Sequence, residues 1–308
     1  MKVLVTGGAG FIGSHIVEEC MAAGHQVIVL DDLSTGKRGN LPDGVPLHVL
    51  SITDDAAERV IAEEGIEAII HCAAQVGVPT SIADPLHDAD INVIGTVKLL
   101  QAARKHGIKK FVFCSSAAVY GNPDYLPVDE EHPLRPMSFY GLSKKVAEEY
   151  IRMYHELFGV PYISFRFANV YGPRQSDGEG SVIPVFINKM LNGQDVPIQG
   201  SGEATRDFIY VGDLARANVA AIESDVVGTF NLGTETEVSV KELAAVLAKL
   251  TGYDRPPVHV AARVGDIDKS TLKNGNVIAA LPWRPNTALE EGLQATIAWG
   301  REMNGTDR

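Results

Sequence analysis

The 308-residue chain is poor in several things, and each shortage excludes something. Cysteine occurs three times (Cys20, Cys72, Cys114), too few for a disulfide framework. Cys72 and Cys114 each close an apolar strand-like run, so buried thiols are the default. Positive charge is outweighed: 27 Lys and Arg stand against 39 Asp and Glu, a net −12. That removes the basic footprint needed by a nucleic acid or an anionic membrane surface, while leaving local anion sites open. No apolar run reaches the roughly 18 residues of a membrane-crossing helix. The chain enters a strand at once, with no basic and then apolar leader, so a cytoplasmic protein is expected. Internal repeats and low-complexity linkers are also lacking. What is present is 45% hydrophobic residues over a length suited to one large α/β unit or two coupled ones.

Lys2–Thr6 is a Val-rich strand candidate, followed by Gly7-Gly8-Ala9-Gly10-Phe11-Ile12-Gly13. Residues 14–23 then read as a helix, with Ile16, Val17 and Cys20 on one face, and Gly24 stops it. Gln26–Leu30 is a second strand ending in Asp31-Asp32. Glycines in such a βαβ unit let the backbone turn tightly and approach a pyrophosphate at a helix N-terminus. Asp31 can accept hydrogen bonds from an adenosine ribose and would repel a 2′-phosphate, which favours NAD over NADP. The spacing is G-x-x-G-x-x-G, one residue off the commonest dinucleotide fingerprint.

Alternation continues. Leu47–Leu50, Ala68–Cys72, Lys110–Ser115 and Tyr162–Phe167 read as strands; 55–64, 85–105 and 138–158 read as helices. The expected fold is α/β, a Rossmann-type doubly wound parallel sheet. Ligands in such sheets bind at the strands' carboxyl ends, which here carry Gly7–Gly13, Asp31-Asp32, Ser51-Ile52, Cys72-Ala73-Ala74 and Ser115-Ser116. Asn92 is a polar residue on an otherwise apolar helical stripe. After about residue 168 the alternation breaks, with helical patterns at 182–191, 211–221, 240–250 and 289–301. The expected division is a dinucleotide-binding unit over 1–168, rejoined by segments near 207–235, and a smaller C-terminal α/β substrate-binding unit over most of 169–308.

Tyr140 and Lys144 lie four apart on a helical stretch and so share a face. An ammonium beside a phenol favours the phenolate, and the pair can act as a general base toward an alcohol. One such pair is little more than chance supplies. Its weight comes from its order in the chain, after Gly7-x-x-Gly10-x-x-Gly13 and after Ser116.

In that order the three features resemble the extended short-chain dehydrogenase/reductase family, over residues 1 to about 283. Val-Thr-Gly-Gly-Ala-Gly-Phe-Ile-Gly (5–13), Ser-Ser-Ala-Ala-Val-Tyr-Gly (115–121) and Arg-Asp-Phe-Ile-Tyr-Val (206–211) are similar to its nucleotide-sugar branch, and within it to the UDP-glucose 4-epimerases. The resemblance implies catalysis by Ser116, Tyr140 and Lys144. It implies NAD contacts from Gly7, Gly10, Phe11, Ile12, Gly13, Asp31, Asp32, Ser34, Thr35, Gly36, Ser51, Ile52, Cys72, Ala73, Ala74, Gln75, Asn92, Ser115, Tyr140 and Lys144. A UDP-sugar would be held by Ser116, Tyr140, Asn169, Val182, Gln199, Arg206, Arg263 and Asp266. No metal is implied, and a homodimer through the helices at 85–105 and 138–158 is.

Two departures stand out: Ser51 where many relatives carry Asp, and Ala118 where several epimerases carry Thr. Dehydratases of the branch place an Asp-Glu pair after the Ser, and decarboxylases a Glu before Val-Tyr-Gly. Here Ala117 and Ala118 occupy both positions, which leaves oxidation and reduction alone, and hence epimerisation at C4 of a UDP-hexose. Ser270 falls where some epimerases carry a bulky Tyr, which implies room for a 2-acetamido sugar. The alternatives left open are a UDP-glucuronate 4-epimerase, another nucleotide-sugar enzyme of the family, and an NAD-binding sensor without catalysis.

Overall fold

The computed structural model describes residues 1–177, 181–261 and 267–306. Its first half builds β1 (Lys2–Thr6), α1 (Phe11–Ala22), β2 (Gln26–Asp31), β3 (Leu47–Val49), α2 (Ala56–Glu63) and β4 (Ala68–His71). Then come α3 (Val78–Ala83), α4 (Pro85–Ala89), α5 (Thr96–Lys105), β5 (Lys110–Ser116), α6 (Phe139–Phe158) and β6 (Tyr162–Phe167). The second half adds β7 (Asn169–Tyr171), α7 (Val182–Leu191), β8 (Pro197–Gln199), β9 (Thr205–Arg206), β10 (Phe208–Tyr210), α8 (Val211–Ile222) and β11 (Gly228–Leu232). It ends with β12 (Val238–Ser239), α9 (Val240–Thr251), β13 (Val258–Val260), β14 (Lys269–Ser270), α10 (Gly275–Ala280) and α11 (Leu289–Thr306).

Seven strands form one sheet in the order β11-β6-β5-β4-β1-β2-β3. Every neighbouring pair is parallel. This is the expected doubly wound sheet, and its order reverses between β1 and β4. Strand alternation divides the core. Val3 and Val5 pack on one face with Ile16, Val17, Leu214 and Ala217. Leu4 points to the other face, with Leu99, Leu100, Ala147 and Ile151. All are 0–1% exposed, and burying each larger side chain stabilises the fold by about 1.5–3 kcal/mol. The last strand, β11, is remote in sequence: it returns after α7 and α8 to pair with β6 from Gly228↔Ile163 to Leu232↔Phe167. Between these, α7, α9 and α11 enclose a third core of Ile183, Phe186, Leu243, Leu247, Leu293 and Ile297.

Local chemistry sets the ends of α6, which carries Tyr140 and Lys144. Ser138 Oγ accepts the Gly141 N–H (3.1 Å) at its start, and Gly159 takes the left-handed conformation (φ 72°) at its stop. The stretch 85–105, expected as one helix, is three pieces. A π-helical turn, Asp90–Gly95, separates α4 from α5. Among the described residues no helix is long and apolar enough to cross a membrane.

Candidate active site

A cleft of about 990 Å³ runs along the carboxyl ends of the central strands, over the point where strand order reverses. Its floor is the glycine turn. A Cβ on Gly7 (φ +67°) would come within 2.6 Å of the Ala73 backbone nitrogen, and one on Gly13 within 2.1 Å of Gly7 O. Both closures are backbone against backbone, so a larger residue has nothing flexible to displace. α1 therefore starts at the cleft with no side-chain cap and no acid in its first turn. Uncapped N–H groups at the positive end of a helix suit a diphosphate, so the residues present fit the dinucleotide that the turn implies. Asp31 is buried at the end of β2, accepting the Ala9 N–H (2.9 Å) and the Leu33 N–H (2.8 Å). Burial raises its pKa, and the two N–H bonds oppose that rise. Asp32 is exposed and accepts from the Ser34 N–H and hydroxyl (2.9 and 2.6 Å).

Ser116 ends β5. Its Oγ accepts the Ala118 N–H (3.2 Å) and caps the short turn 117–119. An oxygen engaged as acceptor keeps its own O–H to donate into the cleft. Tyr140, in the first turn of α6, lies on the same wall. Gly141 makes that closeness feasible, since a Cβ there would come within 2.5 Å of Ala118 O. One turn further, Lys144 is buried behind the wall. Its Nζ donates to the Cys114 carbonyl (2.9 Å) and sits 5.9 Å from the Tyr140 ring centroid. Burial lowers its pKa, opposed by Cys114, Cys72, Asp88 and Glu148. Ala117 and Ala118 add neither acid nor base.

Behind Ser116 and Tyr140, the π-helical turn anchors the wall. Asn92 Oδ1 accepts the Gln75 N–H, and its Nδ2 donates to Gln75 O and Ser143 Oγ (2.9, 2.9 and 3.0 Å). It thus ties the loop after β4 to α6. Thr96 donates to Asn92 O, so it accepts from His71 Nε2–H (3.0 Å), and His71 Nδ1 accepts from Thr6 (2.8 Å). That relay needs a neutral imidazole, and full burial pushes the His71 pKa down to about 3.

A sequence profile described as the NAD dependent epimerase/dehydratase family matches residues 3–233. The chain belongs to that family. It is 43% identical over 308 residues to a putative UDP-glucose 4-epimerase of Methanocaldococcus jannaschii, covering 99% of this chain and all of the relative. The crystal structure of Thermotoga maritima UDP-glucose 4-epimerase with UDP-glucose superposes with a TM-score of 0.95 at 41% identity, covering 99% of this chain and 100% of that one. UDP-N-acetylglucosamine 4-epimerase of Methanobrevibacter ruminantium, solved with UDP-N-acetylmuramic acid, gives 0.94 at 34% identity, with 98% of each chain covered. The family's cofactor is NAD.

In this member of the NAD dependent epimerase/dehydratase family, most expected cofactor positions line the cleft. They are Gly7, Gly10, Phe11, Ile12, Gly13, Asp31, Asp32, Ser34, Thr35, Ser51, Ile52, Cys72, Ala73, Ala74, Gln75, Ser115 and Tyr140, and Ser116, expected to catalyse and to contact the sugar, lines it with them. Others stand back from it. Gly36 packs behind Asp31, where a Cβ would meet Oδ1 at 2.7 Å. Asn92 and Lys144 brace the wall from behind. Of the expected sugar-nucleotide residues, Asn169 is exposed on β7, Val182 opens α7, Gln199 ends β8, and Arg206 lies on β9. Ser270 is in register with Arg206 across β14 and β9. Arg263 and Asp266 lie outside the described residues.

The cleft also uses residues that sequence reasoning missed: Val76, Gly77, Pro79, Thr80, His87 and Ile91 on one side, and Phe167, Ala168, Val170, Gln175, Asp177 and Val185 on the other. Phe167 ends β6 and Ala168 follows it, so the carboxyl-end rule that located the others applies to them too. Among the described residues, no group of three or more His, Cys, Asp or Glu could hold a metal ion.

Proposed function

We propose that the protein interconverts UDP-hexoses at C4 through a transient 4-keto sugar. The observation that carries this reading is the shared wall of Ser116 and Tyr140, with Lys144 buried behind them and alanines at 117 and 118. The glycine turn and the start of α1 hold the dinucleotide diphosphate, while Asp31 and Asp32 take an adenosine ribose. Ser51 Oγ is engaged with Thr53 (2.9 Å), so adenine is met by the apolar flanks Leu50 and Ile52. Bound NAD supplies a hydride acceptor that returns the hydride. Tyr140 takes the O4 proton as C4 is oxidised and gives it back on reduction. Ser116 donates a hydrogen bond to the same oxygen, and the Lys144 ammonium favours the phenolate. With alanine at 117 and 118, the acid and base that elimination or decarboxylation would need at those positions are missing.

Residues 1–168, with 207–235, form the cofactor unit, and the remainder grips the sugar nucleotide. Arg206 and Arg263 hold the diphosphate while the sugar turns, and Asp266 is a further sugar-nucleotide position. UDP-glucose and UDP-galactose are the first substrates. The small Ser270 beside Arg206 supports the 2-acetamido pair as well. Two copies pair through α6 and the stretch 85–105, where Leu86 (80%), Ile94 (48%) and Leu157 (63%) are exposed apolar side chains.

Purified protein is expected to form UDP-glucose from UDP-galactose without added NAD. Tyr140→Phe is expected to fold and retain NAD yet lose most turnover; near-normal turnover would overturn the reading. Failure with UDP-GlcNAc would retire the Ser270 extension alone, and a monomer by light scattering would retire the pairing.

A further inference from the structure

The side chains directly beneath the reacting wall form a buried ionic knot whose members come from five parts of the chain. Glu148 lies on α6 one turn beyond Lys144. Its carboxylate accepts Arg166 from β6 (Nε at 3.1 Å to each oxygen, Nη2 at 2.7 Å). Glu148 Oε1 also accepts the Ser115 hydroxyl from β5 (2.5 Å), the residue before Ser116. Arg166 Nη1 donates to the Tyr120 hydroxyl (2.9 Å), and Tyr120 donates to Asn231 on β11 (2.7 Å). Glu148 and Arg166 are each 6% exposed. A buried pair of this kind adds little net stability over an apolar replacement, because desolvating both charges costs about what their attraction returns. Register is a better explanation for it. The Ser115–Glu148 bond joins the strand that ends in Ser116 to the helix that carries Tyr140 and Lys144, at one fixed offset.

We infer that Glu148 is a positioning residue for the proton-handling pair: it sets the offset between Ser116 and Tyr140, and its charge, balanced by Arg166, tunes the field at Lys144. The inference rests on the assignment of Tyr140 and Lys144 as that pair. The charged and titratable groups facing Lys144 are His71 from β4, Cys72 just after it, Cys114 from β5, Asp88 from α4, and Tyr140 and Glu148 from α6. Glu148 and Asp88 are the carboxylates in that set, and Asp88 is already occupied by Gln75 and Asn92. Removing the Glu148 charge leaves Arg166 unbalanced, and added positive field lowers the pKa of a neighbouring phenol or ammonium. Removing the Arg166 charge does the opposite.

The test is the pH dependence of kcat for UDP-galactose conversion in the NAD-loaded protein, for Glu148→Gln, Arg166→Met, the double variant, Ser115→Ala and Tyr140→Phe. Glu148→Gln is expected to shift the acid limb to lower pH by at least about half a unit, and Arg166→Met to shift it upward. The double variant, with neither charge, returns it toward wild type. If either single variant does not fold, the other and the double still carry the comparison. Ser115→Ala keeps both charges, so its limb stays in place while kcat falls about 3- to 30-fold at unchanged KM. Limbs that do not move in the single variants, or a Ser115→Ala kcat equal to wild type, overturn the inference. An active Tyr140→Phe instead overturns the reading on which it rests.

Discussion

Gly141 offers the sharpest test of how Ser116 and Tyr140 are set. An added Cβ would lie 2.5 Å from Ala118 O and 3.1 Å from the Pro136 Cβ, where 3.4 Å is ordinary contact. The deficit against Ala118 O is about 0.9 Å, and it falls on a backbone atom held by the Ser116 cap. Either α6 or the 117–119 turn must retreat, and Tyr140 and Ser116 separate by a comparable amount. A misplacement near 1 Å costs on the order of 100-fold in rate. Stability should change far less: overpacking costs about 1–3 kcal/mol, partly offset by about 1 kcal/mol from replacing a helical glycine with alanine. Gly141→Ala is therefore expected to retain NAD and melt within a few degrees of wild type, while kcat falls on the order of 100-fold. Gly13→Ala, with its 2.1 Å closure on Gly7 O, should instead lose NAD. Gly39→Ala, where an added Cβ meets nothing within 4 Å, should change neither. A Gly141→Ala protein with wild-type kcat would refute the claim that this contact fixes the two groups.

Other expectations follow from burial and charge. His71 titrates at about 3 when folded against 6.5 when unfolded. Below pH 6.5 the unfolded chain therefore binds a proton the folded one does not, and stability falls by about 1.4 kcal/mol per pH unit until pH 3. His71→Gln should be less stable at neutral pH yet show a shallower loss between pH 6 and 4.5 in urea titrations; an unchanged slope would contradict the buried neutral imidazole. Burial pushes the Cys20 thiol up to about 12 and raises that of Cys72. A thiol reagent at pH 8 should thus label these two slowly until denaturant is added, and rapid native labelling would count against it. Arg206→Ala should raise KM for the sugar nucleotide about 10- to 100-fold, and the inhibition constant of UDP equally, if one charged hydrogen-bonding group of about 1.5–3 kcal/mol is lost. A change in KM without one in UDP inhibition would move Arg206 away from the diphosphate.

The parts of the fold legible in sequence are those with strong local signals. Lys2–Thr6, the glycine turn and Asp31 announce a βαβ unit because glycine and an acid are required at fixed points. The seven-stranded sheet was only partly legible. Gly228–Leu232 is half-exposed at its start, short, and separated by 60 residues from its partner β6, so no local periodicity marks it. The small strands β7 to β10 and β12 to β14 are two or three residues long, too short for alternation to register. The π-helical turn at 90–95 is invisible because its apolar spacing matches that of an α-helix. The bonds that tie it in, from Asn92 to Gln75 and Ser143 and from His71 to Thr96, join residues remote in sequence. In the site, Ser116 and Tyr140 could be named from their motifs. That Lys144 and Asn92 act from behind the wall could not, since burial depends on the helix and loop packed over them.

The closing strand has a consequence for how the protein is made. When the first 168 residues have left the ribosome, β6 is complete and wholly buried in the finished fold, but the strand that covers its outer edge does not yet exist. A nascent sheet formed at that stage would carry an open edge of six residues while the next 60 are synthesised. Such an edge is a template for pairing with another chain. A fragment ending after residue 168 would expose the same edge permanently and be prone to aggregate, whereas one extended through Leu232 would bring its own cover.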